Sequence, residues 1–293
     1  AIYPLLTEKS KDSEYSFQTT KISSSNDLLT MTPNWLFCEQ GNFYVDPWRA
    51  VDHAVITHAH ADHARWGSKK YLAADTGAEV LRIRMGEKAD LRFQPLGQSQ
   101  TINGVRVTFY PAGHILGSAQ VKIEKAGYSI VVSGDYKRNP DPTCQPFEPV
   151  RCNTFITEST FGLPIYRWPD PSTVFDRMNA WWRENAAAGR TTVFLSYAFG
   201  KAQRILAGLD ASIGPIGVHG SLVGPNSVYT RAGIRLPDVL RADAAPAPGA
   251  TATGAATGSR SETGATGTRA RSTVENAAEE GNRSNQHAIS RVR

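Results

Sequence analysis

Between Met31 and about Pro237 the chain alternates short apolar runs with polar turns, the pattern of half-buried strands. Phe43–Val45, Ala54–Thr57, Arg106–Tyr110, Gln120–Glu124, Tyr128–Val132, Thr154–Thr157 and Thr192–Ser196 each hold three to five residues of β-type composition. Two other segments carry apolar residues at helical spacing. Thr76 to Met85 presents Val80, Leu81 and Ile83. A second pattern is N-capped by Ser172, runs through Val174, Phe175, Met178, Trp181 and Trp182, and stops at Gly189. Early strands with little helix between them, then strands alternating with helices, predict an α/β layer fold rather than an all-β barrel.

The pattern fades at both ends. Residues 1–30 are rich in Ser, Thr and Lys without a sustained period and read as a flexible leader, with Met31 as an alternative natural start. From about residue 239 the chain becomes low in complexity. After Arg241 it has no aromatic residue, and its only large aliphatics are Val274, Ile289 and Val292. So little apolar surface cannot offset the entropy of ordering, which predicts a disordered tail, solvated rather than bound to a partner. The expected organisation is a leader (1–30), a core (31–190), a partial second domain (191–238) and the tail (239–293).

Composition narrows the class. A chain of 293 residues with 40% hydrophobic positions and six Trp is long enough for one large domain and an appendage. The formal charge of +5 suits a polyanionic partner without requiring one. Cys38, Cys144 and Cys152 are odd in number, far apart and outside any CxxC pair, so they read as reduced thiols, which favours the cytoplasm. No apolar run reaches the ~20 residues of a membrane helix, and the N-terminal stretch lacks a signal-peptide core. A soluble, cytoplasmic protein without a membrane partner is expected.

The chemistry concentrates at Thr57-His58-Ala59-His60-Ala61-Asp62-His63, in a chain with only seven histidines. His58 and His60 follow the apolar run Ala54-Val55-Ile56. Residues i and i+2 of an extended segment project the same way, so one strand end can aim both imidazoles at one ion. Asp62 and His63 follow as the chain turns and can serve a second ion. His53, one strand upstream, reads as structural.

The order HxHxDH resembles the signature of the metallo-β-lactamase fold, which implies an αββα sandwich with a two-metal site at its edge. Later parts of that pattern have counterparts here. His114 in Pro111-Ala112-Gly113-His114-Ile115-Leu116-Gly117-Ser118 resembles the next ligand, and Asp135 in Ser133-Gly134-Asp135-Tyr136 the bridging carboxylate. Asp46 in Tyr44-Val45-Asp46-Pro47 resembles the aspartate that supports the histidine loop by hydrogen bonding. The resemblance assigns His58, His60 and His114 to a first ion, Asp62 and His63 to a second, and Asp135 to both. Zn²⁺ suits this donor set, with Mn²⁺ as the alternative.

Two more stretches narrow the branch. Thr157-Glu158-Ser159-Thr160-Phe161-Gly162 and Phe199-Gly200-Lys201-Ala202-Gln203-Arg204-Ile205-Leu206 resemble segments of the β-CASP nucleases, with Glu158 as the acidic motif residue that orients a histidine or assists proton transfer. Asp46-Pro47-Trp48-Arg49, Pro140-Asp141-Pro142-Thr143-Cys144, Phe147-Glu148-Pro149-Val150-Arg151-Cys152 and Gly162-Leu163-Pro164-Ile165-Tyr166-Arg167-Trp168 are similar to bacterial ligase-associated DNA exonucleases. Some relatives of that group are described as mRNA 3′-end processing factors. The resemblance implies a metal-dependent exonuclease acting on DNA ends in repair, beside an ATP-dependent DNA ligase and a helicase. RNA processing by the same site, or a non-catalytic module that holds DNA or the ligase, are the alternatives.

The resemblance stops near Pro237, before the returning segment that brings this family two further histidine motifs. His219 lies too early to fill that place, and His287 falls in the tail. The expectation is therefore a complete first metal site, a second site short of its terminal histidine, an activity impaired by that loss, a sandwich with an exposed sheet edge, and a C-terminus altered by a shifted frame.

Overall fold

A computed structural model of the chain describes residues 28–242, 251–255 and 287–291. The expected leader lies outside these except for its last three residues, and most of the expected tail lies outside as well. The described chain divides into two compact units. One holds the residues up to Thr157 with Gly224–Leu236 and the segment from Ala288. The other holds Glu158–Val223 and the described residues from Pro237 to His287.

The first unit is built on two sheets. One has six strands in simple sequential order: β1 (Thr30–Thr32), β2 (Trp35–Cys38), β3 (Phe43–Val45), β4 (His53–Val55), β5 (Lys70–Ala74) and β6 (Leu91–Gln94). The helix α1 (Ala78–Met85) joins the last two. β1 to β3 pair antiparallel, whereas β3 to β6 pair parallel, so β3, β4 and β5 end at the same edge. The other sheet continues through β7 (Ser99–Ile102), β8 (Val105–Pro111), β9 (Ala119–Lys125), β10 (Tyr128–Val132) and β11 (Thr154–Glu158), with β10 and β11 parallel.

The two sheets share one core, because alternation points one face of each strand inward. Leu36, Cys38, Phe43, Val45, Val55 and Leu72 of the first sheet pack in one cluster with Val107, Phe109, Val121, Ile123, Ile130 and Val132 of the second. The strand runs read from the sequence lie where expected, and Tyr128–Val132 matches residue for residue.

In the second unit, α2 (Pro171–Ala187) precedes β12 (Thr192–Ser196), α3 (Lys201–Gly208) and β13 (Ile216–Val218). The helix α4 (Val223–Arg231) then re-enters the first unit, where the Arg231 guanidinium pairs with Glu79 of α1. β14 (Leu240–Arg241) and β15 (Thr251–Ala255) complete a parallel sheet in the order β12-β15-β13-β14. Within α2 the apolar stripe buries Trp182 completely, and Trp181 packs edge-on against Phe194.

Two expectations change in detail. The cap of α2 is Asp170, not Ser172. Its Oδ1 accepts from Ser172 N at 2.9 Å, and Pro171 occupies the first helical position, where its missing N–H costs nothing. The stretch expected as tail contributes β15 and, beside β11, β16 (His287–Arg291). Strand pairing needs only backbone donors and acceptors, which an Ala-, Thr- and Gly-rich segment has.

Candidate metal centre

The four groups of candidate ligands sit where strands end and loops cross between the two sheets. Past β4 the next two residues are held by backbone hydrogen bonds to the two sheets. Ile56 N donates to Leu72 O of the first sheet at 2.8 Å, and Thr57 O accepts from Ala119 N of the second at 2.9 Å. The segment therefore bridges the sheets, and His58 emerges from it. His60 O then accepts from both His63 N and Ala64 N, closing the turn that carries Asp62 and His63.

His114 stands on the loop between β8 and β9. The Ser118 hydroxyl oxygen accepts from His114 N at 3.0 Å and from Ile115 N at 3.1 Å, which fixes the loop's tip. Asp135 follows β10, whose parallel neighbour β11 holds Ser133 N through Ile156 O. Between Ser133 and Asp135, Gly134 has φ of +55°, and a Cβ there would lie 2.6 Å from Thr57 Cβ and Oγ1. Only glycine allows this close crossing over Thr57.

The side chains converge. Ligand atoms of His58, His60, His114 and Asp135 all lie within 4.8 Å of one another. Asp135 divides its oxygens: Oδ2 is 3.8 Å from His58 Nε2 and 3.6 Å from His114 Nε2, while Oδ1 is 3.4 Å from His63 Nε2. Asp62 Oδ2 lies 3.8 Å from the same His63 nitrogen. His60 turns Nδ1 toward the group, 3.3 Å from His114 Nε2.

Behind the histidines lies Asp46, at the end of β3 with φ of +45°. Its Oδ1 accepts from Thr57 N at 2.8 Å; its Oδ2 accepts from Thr57 Oγ1 at 2.6 Å and His63 Nδ1 at 2.7 Å. Asp46 thus makes three hydrogen bonds to the histidine loop. Nothing in the local pattern singles out Thr57 or Ser118; only their position beside the histidines, once folded, reveals them.

The protonation pattern suits cation binding. Burial, with the other three histidines nearby, holds His58 well below the ordinary imidazole value. Burial and His60 lower His114 to about 4. Burial would raise Asp135, but the hydrogen bond and charge of His63 bring it down to about 2. For His63 burial alone would lower the value, yet Asp46 and Asp135 carry it well above the ordinary one. Two neutral imidazoles and an ionised carboxylate stand ready as donors.

The fit to a divalent cation has direct support. His58 Nε2 is buried and has no hydrogen-bond partner, and an unpaired polar atom in a protein interior is costly unless something else binds it. Imidazole nitrogens with carboxylate oxygens form a donor set for Zn²⁺ or a similar ion.

The remaining candidates fall elsewhere. Glu158 closes β11 and belongs to the second unit, where its Oε2 accepts from Thr160 N at 2.8 Å. His53 Nδ1 is hydrogen-bonded to Asn42 O at 3.0 Å, a structural contact as expected. His219 caps a short turn, its Nδ1 accepting from Ser221 N. His287 opens β16.

No protein-family model matches the chain. A probable DNA ligase of Opitutus terrae is 29% identical over 212 residues, 72% of this chain and 21% of that protein. An RNase J-like protein of Methanocaldococcus jannaschii is 26% identical over 211 residues, 62% of this chain and 50% of the relative. Endoribonuclease ysh1 of Aspergillus fumigatus is 36% identical over 124 residues, 38% of this chain and 13% of the relative. The chain spans half or less of the length of each. Relatives of this kind, with a two-sheet α/β core that carries histidines at its strand ends, are consistent with the metallo-β-lactamase/β-CASP nucleases that the motifs resemble.

Proposed function

We propose that the chain is a metal-dependent nuclease that hydrolyses phosphodiester bonds at DNA ends. The observation that carries this reading is the division of Asp135, with Oδ2 toward His58 and His114 and Oδ1 toward His63. A carboxylate so placed can join two ions. His58, His60 and His114 would hold one, Asp62 and His63 the other. Such a pair, probed first with Zn²⁺ and then with Mn²⁺, supplies Lewis acidity toward a phosphoryl oxygen and lowers the pKa of a water.

The protein's own groups define what the site does around those ions. Asp46, Asp62 and Asp135 outnumber the one raised histidine, so the side chains alone present a negative field to a negative substrate. Cations must reverse that sign before a phosphodiester can enter. Buried His58 keeps solvent from the inner side of the cluster, while Asp62, 47% exposed at its side chain, faces the side open to water. Its carboxylate is the proposed acceptor of the attacking water's proton. For Glu158 the motif resemblance implies only that it orients a histidine or assists proton transfer.

DNA is favoured because the relative sharing the largest part of this chain among those named is described as a probable DNA ligase, and the shared region is only 21% of it. That supports a nuclease working beside a DNA ligase; ATP dependence of the ligase, a helicase and a place in repair are what the motif resemblance implies. RNA is the second reading, carried by the RNase J-like and endoribonuclease relatives. Digestion of end-labelled DNA and RNA of one sequence, side by side, tests the choice. Metal-dependent loss of DNA from its ends is the expected result, and cleavage confined to RNA overturns it. A non-catalytic module would hold one ion and cleave neither.

A further inference from the structure

We propose that Thr57 is a positioning residue that sets the tautomer of His58, so that the bare nitrogen of that ring faces the metal centre. The inference rests on the metal-centre reading but on a different set of contacts. Thr57 Oγ1 lies 2.6 Å from Asp46 Oδ2 and 3.0 Å from His58 Nδ1, with all three residues buried. A hydroxyl has one proton to give. An ionised carboxylate can only accept, so the Thr57 proton goes to Asp46. The oxygen's lone pairs are then what His58 Nδ1 meets, and that contact is favourable only if Nδ1 carries hydrogen. His58 Nε2 is left as a lone pair, the same buried atom that lacks a protein partner.

Asp46 thereby orients two rings. It accepts directly from His63 Nδ1 at 2.7 Å and reaches His58 through Thr57. One histidine belongs to each candidate ligand group, so a single carboxylate sets the direction of both. The surroundings hold Thr57 in place for this task. Its N donates to Asp46 Oδ1 at 2.8 Å, its carbonyl accepts from Ala119 N at 2.9 Å, and Gly134 passes close above its side chain. A serine keeps the hydroxyl, and a valine keeps the shape but can neither donate nor accept.

The test compares wild type, Thr57→Ser and Thr57→Val. Nitrogen-15 spectra of the chelated protein, with long-range couplings resolved, report which ring nitrogen of His58 carries hydrogen. The expected result is Nδ1–H in wild type and T57S, and a mixed or Nε2–H ring in T57V. Zinc affinity by competition with a chromophoric chelator should fall about 10- to 100-fold in T57V, the usual effect of losing a hydrogen-bond partner of a metal ligand, and stay within about threefold in T57S. Nε2–H in wild type overturns the proposal without any variant, even if T57V fails to fold. Loss of affinity in T57S with none in T57V also overturns it, since the methyl group and not the hydroxyl would then matter. If wild type takes up no zinc, the metal-centre reading fails, while the tautomer spectra still decide the role of Thr57.

Discussion

Asp46 Oδ2 accepts a hydrogen bond from His63 Nδ1 at 2.7 Å, and both side chains are buried. Removing the carboxylate leaves that imidazole and both donors of Thr57 without their acceptor. An unsatisfied buried donor costs about 1–3 kcal/mol, so Asp46→Ala should destabilise the chelated protein by roughly 3–5 kcal/mol, allowing for partial relaxation. Denaturant unfolding with chelator present measures it. A loss under about 1 kcal/mol would mean the network relaxes freely.

Asp135 reaches both ligand groups, whereas His114 faces only one. Asp135→Ala should therefore reduce bound zinc at both positions, and His114→Ala mainly at the first. Metal content after gel filtration distinguishes them. Equal stoichiometry in the two variants would contradict a shared carboxylate.

Gly134 combines φ of +55° with a crossing over Thr57 that leaves no room for a Cβ. Gly134→Ala must both adopt a disfavoured backbone and push on Thr57, at a cost of about 1–3 kcal/mol or more. It should also displace the neighbouring Asp135. A lower melting temperature together with weaker zinc binding is the expected pair of changes.

Asp141 gives a pH dependence separate from the metal ligands. Burial would raise its pKa, but Thr143 Oγ1, Lys137 and Thr143 N hold it below the ordinary value. A depressed folded value stabilises the fold above the unfolded carboxylate value of about 3.9, and that contribution is lost as pH falls through the folded value. Wild type should thus exceed Asp141→Asn in stability above about pH 4, with the gap closing at lower pH. Paired melting curves between about pH 2 and pH 6 test the sign.

How much was legible in the sequence follows from what each feature needs. The ligand order was readable because HxHxDH, Gly-His and Gly-Asp are local patterns at the ends of apolar runs, and His58, His60, His114 and Asp135 do converge. Strands with strong β composition were readable too. Lys70–Ala74 was missed because it ends in two alanines, and Ser99–Ile102 because it is polar and mostly exposed, paired through its backbone to β8. Thr57 was invisible as a working residue for another reason. Its role depends on Asp46, brought beside it by the pairing of β3 with β4, and on Gly134, which crosses it only when the sheets close.

The most direct test of the two-metal reading is cleavage of end-labelled DNA by the chelated protein as zinc is added back. Cleavage should be absent in chelator, rise until about two equivalents per chain are bound, and fail to return in Asp135→Ala. Full cleavage in chelator, or two bound equivalents with no cleavage, would contradict it.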